Sequence, residues 1–225
     1  MQNALISTHP LYRSHFVETT LEVLPIGNRG SLSLTCDWGV GIGGGLWSTG
    51  LLMTKHLCAY PSFYDNLLAG RRVLELGSGT GLVGLTAAMF GPPSEVVITD
   101  LASHIDICSH NLTANVDLIP DQCKVRVEEY DWGSDCSSSL SRFPFDVVIG
   151  TDVAYYEHLH EPLIKALLAT TGPETLILLG VTRMDTGPDF FEALDQAGFE
   201  FYLMEQASSN KAFGLFCVFR ERQNA

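Results

Sequence analysis

A short apolar strand that runs directly into a series of glycines, VLELGSGTGLVG at Val73–Gly84, restricts the fold of this chain more than any other feature. Glycine accepts positive φ angles and leaves its peptide groups bare, so a ligand can lie against the backbone. A glycine-rich turn between a strand and the start of a helix is how open α/β sheets bind nucleotide-like cofactors. The segment therefore predicts an α/β sheet with a cofactor site at this turn.

The acidic residue inside this strand, Glu75, narrows the choice of cofactor. The glycines alone do not decide it, because GTGLVG at 79–84 also satisfies the dinucleotide pattern GxGxxG. A carboxylate is unfavourable beside a pyrophosphate but favourable beside the ammonium and sulfonium charges of S-adenosylmethionine. We expect S-adenosylmethionine as the cofactor. An NAD-dependent dehydrogenase is the weaker alternative, and a turn that only packs strand against helix, without a ligand, is another.

The length of 225 residues and the 46% of apolar residues suit one large α/β domain. The net charge of −13 disfavours nucleic acid as a partner and suits a basic protein or a small cationic substrate, although solvated acidic surface is the plainer explanation. No apolar run approaches the roughly 18 residues that span a bilayer, and the first residues lack the plan of a signal peptide. The six cysteines form no CxxC pair, so we expect reduced thiols, no metal site and an intracellular protein, cytoplasmic or nuclear.

Hydrophobic patterning divides the chain before the glycine turn into three parts. It predicts a β-hairpin at Phe16–Cys36 and a glycine cluster at Gly39–Gly45. A helix then follows, capped by Ser48 or Thr49, and runs to about residue 60. We expect residues 1–45 to form an N-terminal extension that carries the hairpin, and residues 46–225 to form the main domain.

From Arg72 onward, strands alternate with helices. Apolar runs such as VVIT and LILLG are typical of strands buried on both faces. The alternation predicts right-handed crossovers and a Rossmann-like, doubly wound, mostly parallel sheet of seven strands, with the last two strands paired as a hairpin. The predicted strands are 72–76, 95–99, 124–129, 146–151, 174–182, 198–205 and 212–220, and the predicted helices lie near 81–90, 103–117, 159–170 and 187–197.

Two residues at strand ends are suited to binding an adenosine. Asp100 ends the strand EVVITD, where a carboxylate accepts hydrogen bonds from both ribose hydroxyls; the alternative is that it caps the next helix. Trp132 follows the third strand in the sequence YDWG, where an indole stacks on adenine; the alternative is an anchor for the loop on the core. Together with Glu75, they favour an adenosine-containing cofactor.

Residues at two further places are expected near the reacting methyl group. Thr151, Asp152 and Tyr155 follow the strand FDVVIG, which in such sheets lies beside the first strand. A carboxylate and an aromatic face orient an incoming ammonium group, and Asp152, a tyrosine or water then accepts its proton. The alternatives are a helix cap and core tyrosines. Trp47, after the glycine cluster, is expected to close over the methionine part of the cofactor, or else to be a hydrophobic plug.

These motifs resemble those of the seven-strand, S-adenosylmethionine-dependent methyltransferases. Within that class, the chain is similar to the protein-lysine methyltransferases of methyltransferase-like family 16. The matching segments are LWSTGLLMTKHL, VLELGSGTGLVG, VVITDL, YDWG and FDVVIGTDVAYYE, in that order. The resemblance implies that Asp152 and Tyr155 define a lysine channel; Thr151 stands where such enzymes often have alanine. It also implies cofactor contacts at Trp47, Gly77, Ser78, Gly79, Asp100, Trp132 and Thr151.

The function that we expect is methylation of lysine side chains in a protein substrate by a monomeric enzyme. One alternative is a methyltransferase for a small amine or for another side chain such as histidine. A non-catalytic binding protein that keeps the cofactor fold is less consistent with the retained acids Glu75, Asp100 and Asp152. The identity of the substrate protein does not follow from the sequence.

Overall fold

Two β-sheets are present in the computed structural model, which describes residues 19–206 and 213–220. Strands β1 (Thr19–Pro25) and β2 (Ser31–Asp37) pair in antiparallel fashion, as the hairpin prediction required. Residues 16–18 of the predicted hairpin lie outside the described residues. The second sheet has seven strands in the order β5-β4-β3-β6-β7-β9-β8. These strands are β3 (Arg72–Leu76), β4 (Glu95–Asp100), β5 (Lys124–Glu129), β6 (Phe145–Thr151), β7 (Thr171–Thr182), β8 (Phe199–Gln206) and β9 (Phe213–Arg220).

The large sheet confirms the predicted fold class. β3 pairs in parallel with both β4 and β6, so the strand FDVVIG lies beside the first strand, as predicted. β9 inserts between β7 and β8 and is antiparallel to both, so the last two strands form the expected hairpin. The chain leaves β3 toward β4 on one side and returns to β6 on the other. A ligand crevice is expected at such a reversal, beyond the carboxyl ends of β3 and β6.

Seven α-helices cover the sheet in the described part of the chain. Two were not predicted: a helix that begins at Pro61, where a fixed φ suits the first helical position, and a short helix inside the serine-rich segment that was expected to be a loop. No helix in this part of the chain is long and apolar enough to cross a membrane. The helices are α1 (Ser48–Ala59), α2 (Pro61–Leu68), α3 (Leu82–Ala88), α4 (Ala102–Ala114), α5 (Ser138–Ser141), α6 (His160–Thr170) and α7 (Arg183–Gln196).

The core lies in two layers, one on each face of the large sheet. On one face, the hairpin and helices α1 to α4 pack through residues such as Leu34, Met53 and Leu85. On the other face, α6 and α7 pack through residues such as Leu163 and Phe190. Because β3, β4 and β6 are covered on both sides, their apolar side chains are almost fully buried, which explains the continuous apolar runs.

Two asparagines, Asn111 in α4 and Asn115 directly after it, hold the hairpin against the domain. The Asn115 side chain accepts a hydrogen bond from the Ser33 amide and donates one to the Ser33 carbonyl, both at 2.8 Å. Asn111 binds the amide and carbonyl of Thr35 in the same way, at 2.8 and 3.0 Å. The Asn111 amide also donates to the Thr80 carbonyl in the glycine turn, at 2.9 Å. One helix therefore fixes the hairpin and the turn in a common frame.

Candidate active site

The glycine turn after β3 depends on backbone angles that side chains disfavour. Gly77, Gly79 and Gly81 have φ angles of 63°, 57° and 81°, in the left-handed region. The Gly79 amide donates a hydrogen bond of 2.7 Å to Oδ2 of Asp100, so the turn is attached to the end of the neighbouring strand. The expected glycine turn and the expected carboxylate are thus brought into direct contact.

The glycine cluster that precedes α1 packs directly on this turn. A Cβ added to Gly79 would lie 2.6 Å from the carbonyl oxygen of Gly43, so the two backbones meet with no room for a side chain. The indole Nε1 of Trp47 donates to the Ile42 carbonyl at 2.8 Å, and its ring meets that of Trp38 edge-on at 5.7 Å between centroids. Trp47 remains 40% exposed, so its indole lies at the surface on the glycine cluster.

Glu75 lies beneath the turn. Its side chain is 2% exposed, and its Oε2 atom is buried without a hydrogen-bond partner among the described residues. The pKa of Glu75 is raised to about 8, chiefly by burial. Hydrogen bonds with the Gly84 and Val83 amides lower this pKa, and the charge of Asp100 raises it. A buried acid with an unpartnered oxygen is well suited to a nearby cationic group.

Glu75→Gln is expected to flatten the pH dependence of stability. The pKa of Glu75 is about 8 in the folded protein, against an ordinary value of 4.5, so the carboxyl stabilises the fold below pH 4.5 and this contribution is lost as the pH rises to 8. The loss amounts to about 1.4 kcal/mol per pH unit at most. Urea unfolding at pH 5, 6.5 and 8 should show a falling free energy of unfolding in the parent and a weaker fall in the variant.

Glu95→Gln is the matched control, because two arginines lower the pKa of Glu95 despite its partial burial. The Glu95 contribution is lost only as the pH falls below about 4.5, so Glu95→Gln should leave the slope between pH 5 and pH 8 unchanged. Parallel curves for the parent and Glu75→Gln would show that Glu75 is ionised in the folded protein over this range.

Asp100 is bonded through both of its carboxylate oxygens. Besides the Gly79 amide on Oδ2, its Oδ1 atom accepts a hydrogen bond from the Leu101 amide at 2.7 Å and lies 3.1 Å from Nδ1 of His104. The alternative that Asp100 caps the next helix is wrong, because the N-cap of α4 is Leu101 and no side chain caps that helix. One oxygen of Asp100 holds the glycine turn instead. The carboxylate is 9% exposed, at the carboxyl end of β4.

Trp132 stands against the glycine turn, as the sequence predicted for a residue after β5. A Cβ on Gly77 would lie 3.0 Å from the indole of Trp132 and 2.8 Å from Val153. The loop after β5 and the loop after β6 therefore meet at this glycine. The ring is partly buried and packs against the apolar layer on the α6 and α7 face, so anchoring of the loop and contact with the site occur together.

Asp152 has a second role that the sequence did not reveal. Its Oδ2 atom accepts hydrogen bonds from the amides of Thr49 and Gly50, at 2.8 and 3.4 Å, and its own amide donates to Thr49 Oγ1 at 2.9 Å. The prediction that Ser48 or Thr49 caps α1 is therefore wrong: no side chain of the helix start does so, and a carboxylate from the loop after β6 takes that position. Asp152 also has a φ of 54°, which is unusual for a residue other than glycine.

Thr151 and Tyr155 complete the set around Asp152. Thr151 ends β6, and its Oγ1 atom would lie 3.3 Å from a Cβ on Gly50, so it faces the start of α1. The ring of Tyr155 packs on that of Tyr156 at 4.6 Å between centroids. Burial raises the pKa of Tyr155, and Tyr156 and Asp100 raise it further, so its hydroxyl stays protonated and lies within electrostatic range of Asp100.

The structure thus brings the predicted residues to one edge of the sheet, at the carboxyl ends of β3, β4, β5 and β6. Sequence reasoning missed three contributors: Gly43, which covers Gly79; His104, which pairs with Asp100; and Asn111, which ties the turn to the hairpin. The glycine cluster at 39–45 was a usable signal for the first. His104 and Asn111 had none, because a lone histidine or asparagine on a helix is ordinary.

Comparisons with known proteins agree on the kind of protein. A model of the lysine methyltransferase family matches residues 27–197. Protein N-lysine methyltransferase METTL21A of Danio rerio is 34% identical over 154 residues, which are 66% of this chain and 65% of the relative. EEF1A lysine methyltransferase 3 of Mus musculus is 33% identical over 165 residues, which are 71% of this chain and 66% of the relative. The chain therefore covers just under two thirds of the length of these relatives.

Solved structures share the fold at low sequence identity. The methyltransferase domain of bacterial CtHen1-C matches with a TM-score of 0.57 and 11% identity, over 74% of this chain and 97% of that chain. A ribosomal protein L11 methylase from Lactobacillus delbrueckii subsp. bulgaricus matches with a TM-score of 0.54 and 14% identity, over 77% of each chain. At such identities, the likeness extends to the fold alone.

Proposed function

Because the chain belongs to the lysine methyltransferase family, we propose that it transfers a methyl group from S-adenosylmethionine to a lysine side chain of a protein. The observation that carries this proposal is the bond between Asp100 and the Gly79 amide, at 2.7 Å. It joins a glycine turn to a strand-end carboxylate beside the reversal of the sheet, which is the arrangement that receives an adenosine.

The residues present fit this cofactor in their chemistry. Asp100 offers carboxylate oxygens to the ribose hydroxyls, and the indole of Trp132, against Gly77, offers a face to the adenine. The buried acid Glu75, with an unpartnered oxygen, and the exposed indole of Trp47 suit the cationic methionine part. The proposed cofactor residues are Trp47, Glu75, Gly77, Ser78, Gly79, Asp100, Trp132 and Thr151.

The proposed catalytic residues are Asp152 and Tyr155. The cofactor supplies a methyl group on a positively charged sulfur, which leaves as a neutral thioether when the lone pair of the lysine nitrogen takes the carbon. A lysine must lose a proton before it attacks, so a carboxylate and an aromatic ring that orient its ammonium group favour the reaction. The hydrogen bonds to Thr49 and Gly50 fix the Asp152 carboxylate for this purpose.

A protein substrate is favoured over a small amine. The similar proteins named above are named as methyltransferases of proteins. Trp38, Trp47 and Tyr156 are 43%, 40% and 53% exposed near the ends of the loops that bear the site, and a large partner would cover them. The net charge of −13 suits a basic, lysine-presenting surface rather than nucleic acid. A cytoplasmic monomer, with an extension at 1–45 and a catalytic domain at 46–225, completes the proposal.

The experiment that tests the proposal is incubation of the protein with tritium-labelled S-adenosylmethionine and a cell extract, followed by mass spectrometry of the labelled band. A methylated lysine in one or a few proteins is the expected result. Label on histidine or in small molecules only would favour the alternative substrates. Calorimetry supplies the cofactor control: S-adenosylmethionine and its demethylated product should bind, and tight binding of NAD instead would refute the cofactor.

A further inference from the structure

His104 contacts both parts of the proposed cofactor site. Its Nδ1 atom lies 3.1 Å from Oδ1 of Asp100, the carboxylate assigned to the ribose. Its ring also supports the glycine cluster, because a Cβ on Gly43 would lie 2.7 Å from Nε2 and 2.8 Å from Cδ2. Gly43 in turn covers Gly79. The histidine therefore lies under the loop that closes on the turn and beside the acid that holds the turn.

We propose that His104 is a positioning residue for the cofactor: in its neutral form it holds Asp100 ready for the ribose, and in its protonated form it competes with the cofactor for Asp100. This inference rests on the proposed function, since it assumes S-adenosylmethionine at Asp100. His104 touches neither the cofactor nor the substrate in this proposal, and it acts through Asp100.

The position of the proton on neutral His104 follows from its partners. Nδ1 lies 3.1 Å from both the Ser103 hydroxyl and Oδ1 of Asp100. An ionised carboxylate only accepts hydrogen bonds, so the contact with Asp100 favours the tautomer that carries its proton on Nδ1, with the Ser103 hydroxyl as a second acceptor. Nε2 is then the bare nitrogen. It is buried and has no hydrogen-bond partner among the described residues. Protonation would therefore add an unpaired N–H under the loop at Gly41 and Gly43, together with a positive charge beside Asp100.

Asp100 has limited capacity to accept hydrogen bonds. A carboxylate offers about four lone-pair positions. Gly79, Leu101 and His104 already use three of them. Two ribose hydroxyls need two acceptor positions, but only about one is free, so one of the existing donors must give way. A neutral imidazole yields more readily than an imidazolium, whose charge-assisted bond is about twice as strong.

Asp100 is the charge that acts most directly on His104. The hydrogen bond with Asp100 is the largest influence on the pKa of His104 and raises it. Burial lowers this pKa and the negative charge of Asp100 raises it, so the pKa lies above its ordinary value. Behind this pair, Glu75, Cys108 and Tyr155 are in electrostatic range of Asp100. The Cys108 thiol is held protonated, since burial is the largest of several influences that bring its pKa to about 12. Glu75, with a pKa of about 8, is a further titratable group near Asp100.

The elements packed against His104 bring few other charges. Residues 38–46, which form the loop above it, contain no titratable side chain. Asp37, at the base of that loop, is bonded to the Gly39 amide at 2.8 Å. On β5, which packs against the same helix, Arg126 forms an ion pair with Glu128. These charges are already satisfied, so the coupling to Asp100 governs His104.

The expected sign of the pH dependence follows. A cofactor with a net positive charge and two ribose donors makes protonated His104 less favourable beside Asp100, so binding lowers the pKa of His104 and releases a proton. Affinity must then fall as the pH drops through the pKa of His104. A change of one unit in this pKa on binding corresponds to about tenfold in the dissociation constant across the window.

The test compares the parent with His104→Asn and His104→Leu by calorimetry with S-adenosylmethionine at pH 6 and pH 8. Asparagine keeps a donor near the place of Nδ1 but does not titrate, and leucine has no donor. The parent should bind about tenfold more weakly at pH 6 than at pH 8. His104→Asn should bind like the parent at pH 8 and lose most of the pH dependence. His104→Leu should bind about tenfold more weakly at pH 8, because the hydrogen bond to a charged group is lost.

The same pH dependence in the parent and in His104→Asn would overturn the inference, because the ligand and all other groups are unchanged. Glu75→Gln shows which part of the dependence belongs to Glu75. If His104→Leu does not fold, as judged by circular dichroism, the comparison of the parent with His104→Asn still tests the role of His104. If the parent itself fails to bind S-adenosylmethionine at pH 8, the proposed function fails; if it binds without pH dependence, only the role of His104 fails.

Discussion

Asp100→Ala is expected to weaken binding of S-adenosylmethionine by about a hundredfold or more, because two hydrogen bonds from the ribose to a charged acceptor are each worth about 1.5–3 kcal/mol. The variant also frees the Gly79 amide, which Asp100 binds at 2.7 Å, so the glycine turn loses its attachment to β4. Calorimetric titration measures the affinity, and thermal unfolding checks that the variant still folds.

Asp106→Ala is the matched control for this variant. Asp106 is exposed on α4, six residues beyond Asp100 in the sequence, and its removal changes the net charge by the same amount. Its affinity for the cofactor should remain within about twofold of the parent, because exposed charges act weakly at physiological salt. An Asp100→Ala variant that folds and still binds within threefold of the parent would remove the ribose role.

Asp152→Ala is expected to reduce methyl transfer by at least about a hundredfold while cofactor affinity changes less, since orientation of the reacting groups alone is worth several kcal/mol. The variant loses the carboxylate that we propose to orient the lysine. It also releases the Thr49 amide at the start of α1, two residues after Trp47. Transfer is measured with labelled cofactor and the substrate identified from the extract, and affinity by calorimetry.

Thr49→Val separates the two roles of Asp152. Valine has the shape of threonine but loses Oγ1, which accepts the Asp152 amide at 2.9 Å, so the contact between α1 and this loop is weakened while the carboxylate stays. A modest loss of transfer is expected in this variant. If Thr49→Val and Asp152→Ala lose transfer equally, the role of Asp152 is to hold α1 rather than to act on lysine. Asp152→Asn, which keeps an acceptor without the charge, tests the charge itself.

The sheet could be predicted because its signals are local. Runs such as VVIT and VVIG are buried on both faces in the structure, and glycine marks the turn where a positive φ is needed. A parallel sheet with short turns then follows from the handedness of the crossovers. The helix at Pro61–Leu68 was missed because it is short and begins only one residue after α1 and its C-cap, although Pro61 at its first position was a usable signal.

The contacts inside the site could not be predicted, because they join residues that are distant in sequence. Asp152 and Thr49 are 103 residues apart, and the start of α1 looked self-capped because serine and threonine stand there. Gly43 meets Gly79 only when the hairpin is docked on α4. Such pairs depend on tertiary packing, which overrides local preference.

Asn111 makes the N-terminal hairpin a part of the cofactor site in thermodynamic terms. The side-chain amide of Asn111 donates hydrogen bonds to the Thr35 carbonyl in the second hairpin strand and to the Thr80 carbonyl in the glycine turn. A ligand that steadies the turn must therefore also suppress local opening of the hairpin, and fraying of the hairpin must weaken the ligand by the same free energy. On this ground we expect sequence changes at residues 19–37 to alter affinity at the proposed cofactor site without contacting the cofactor.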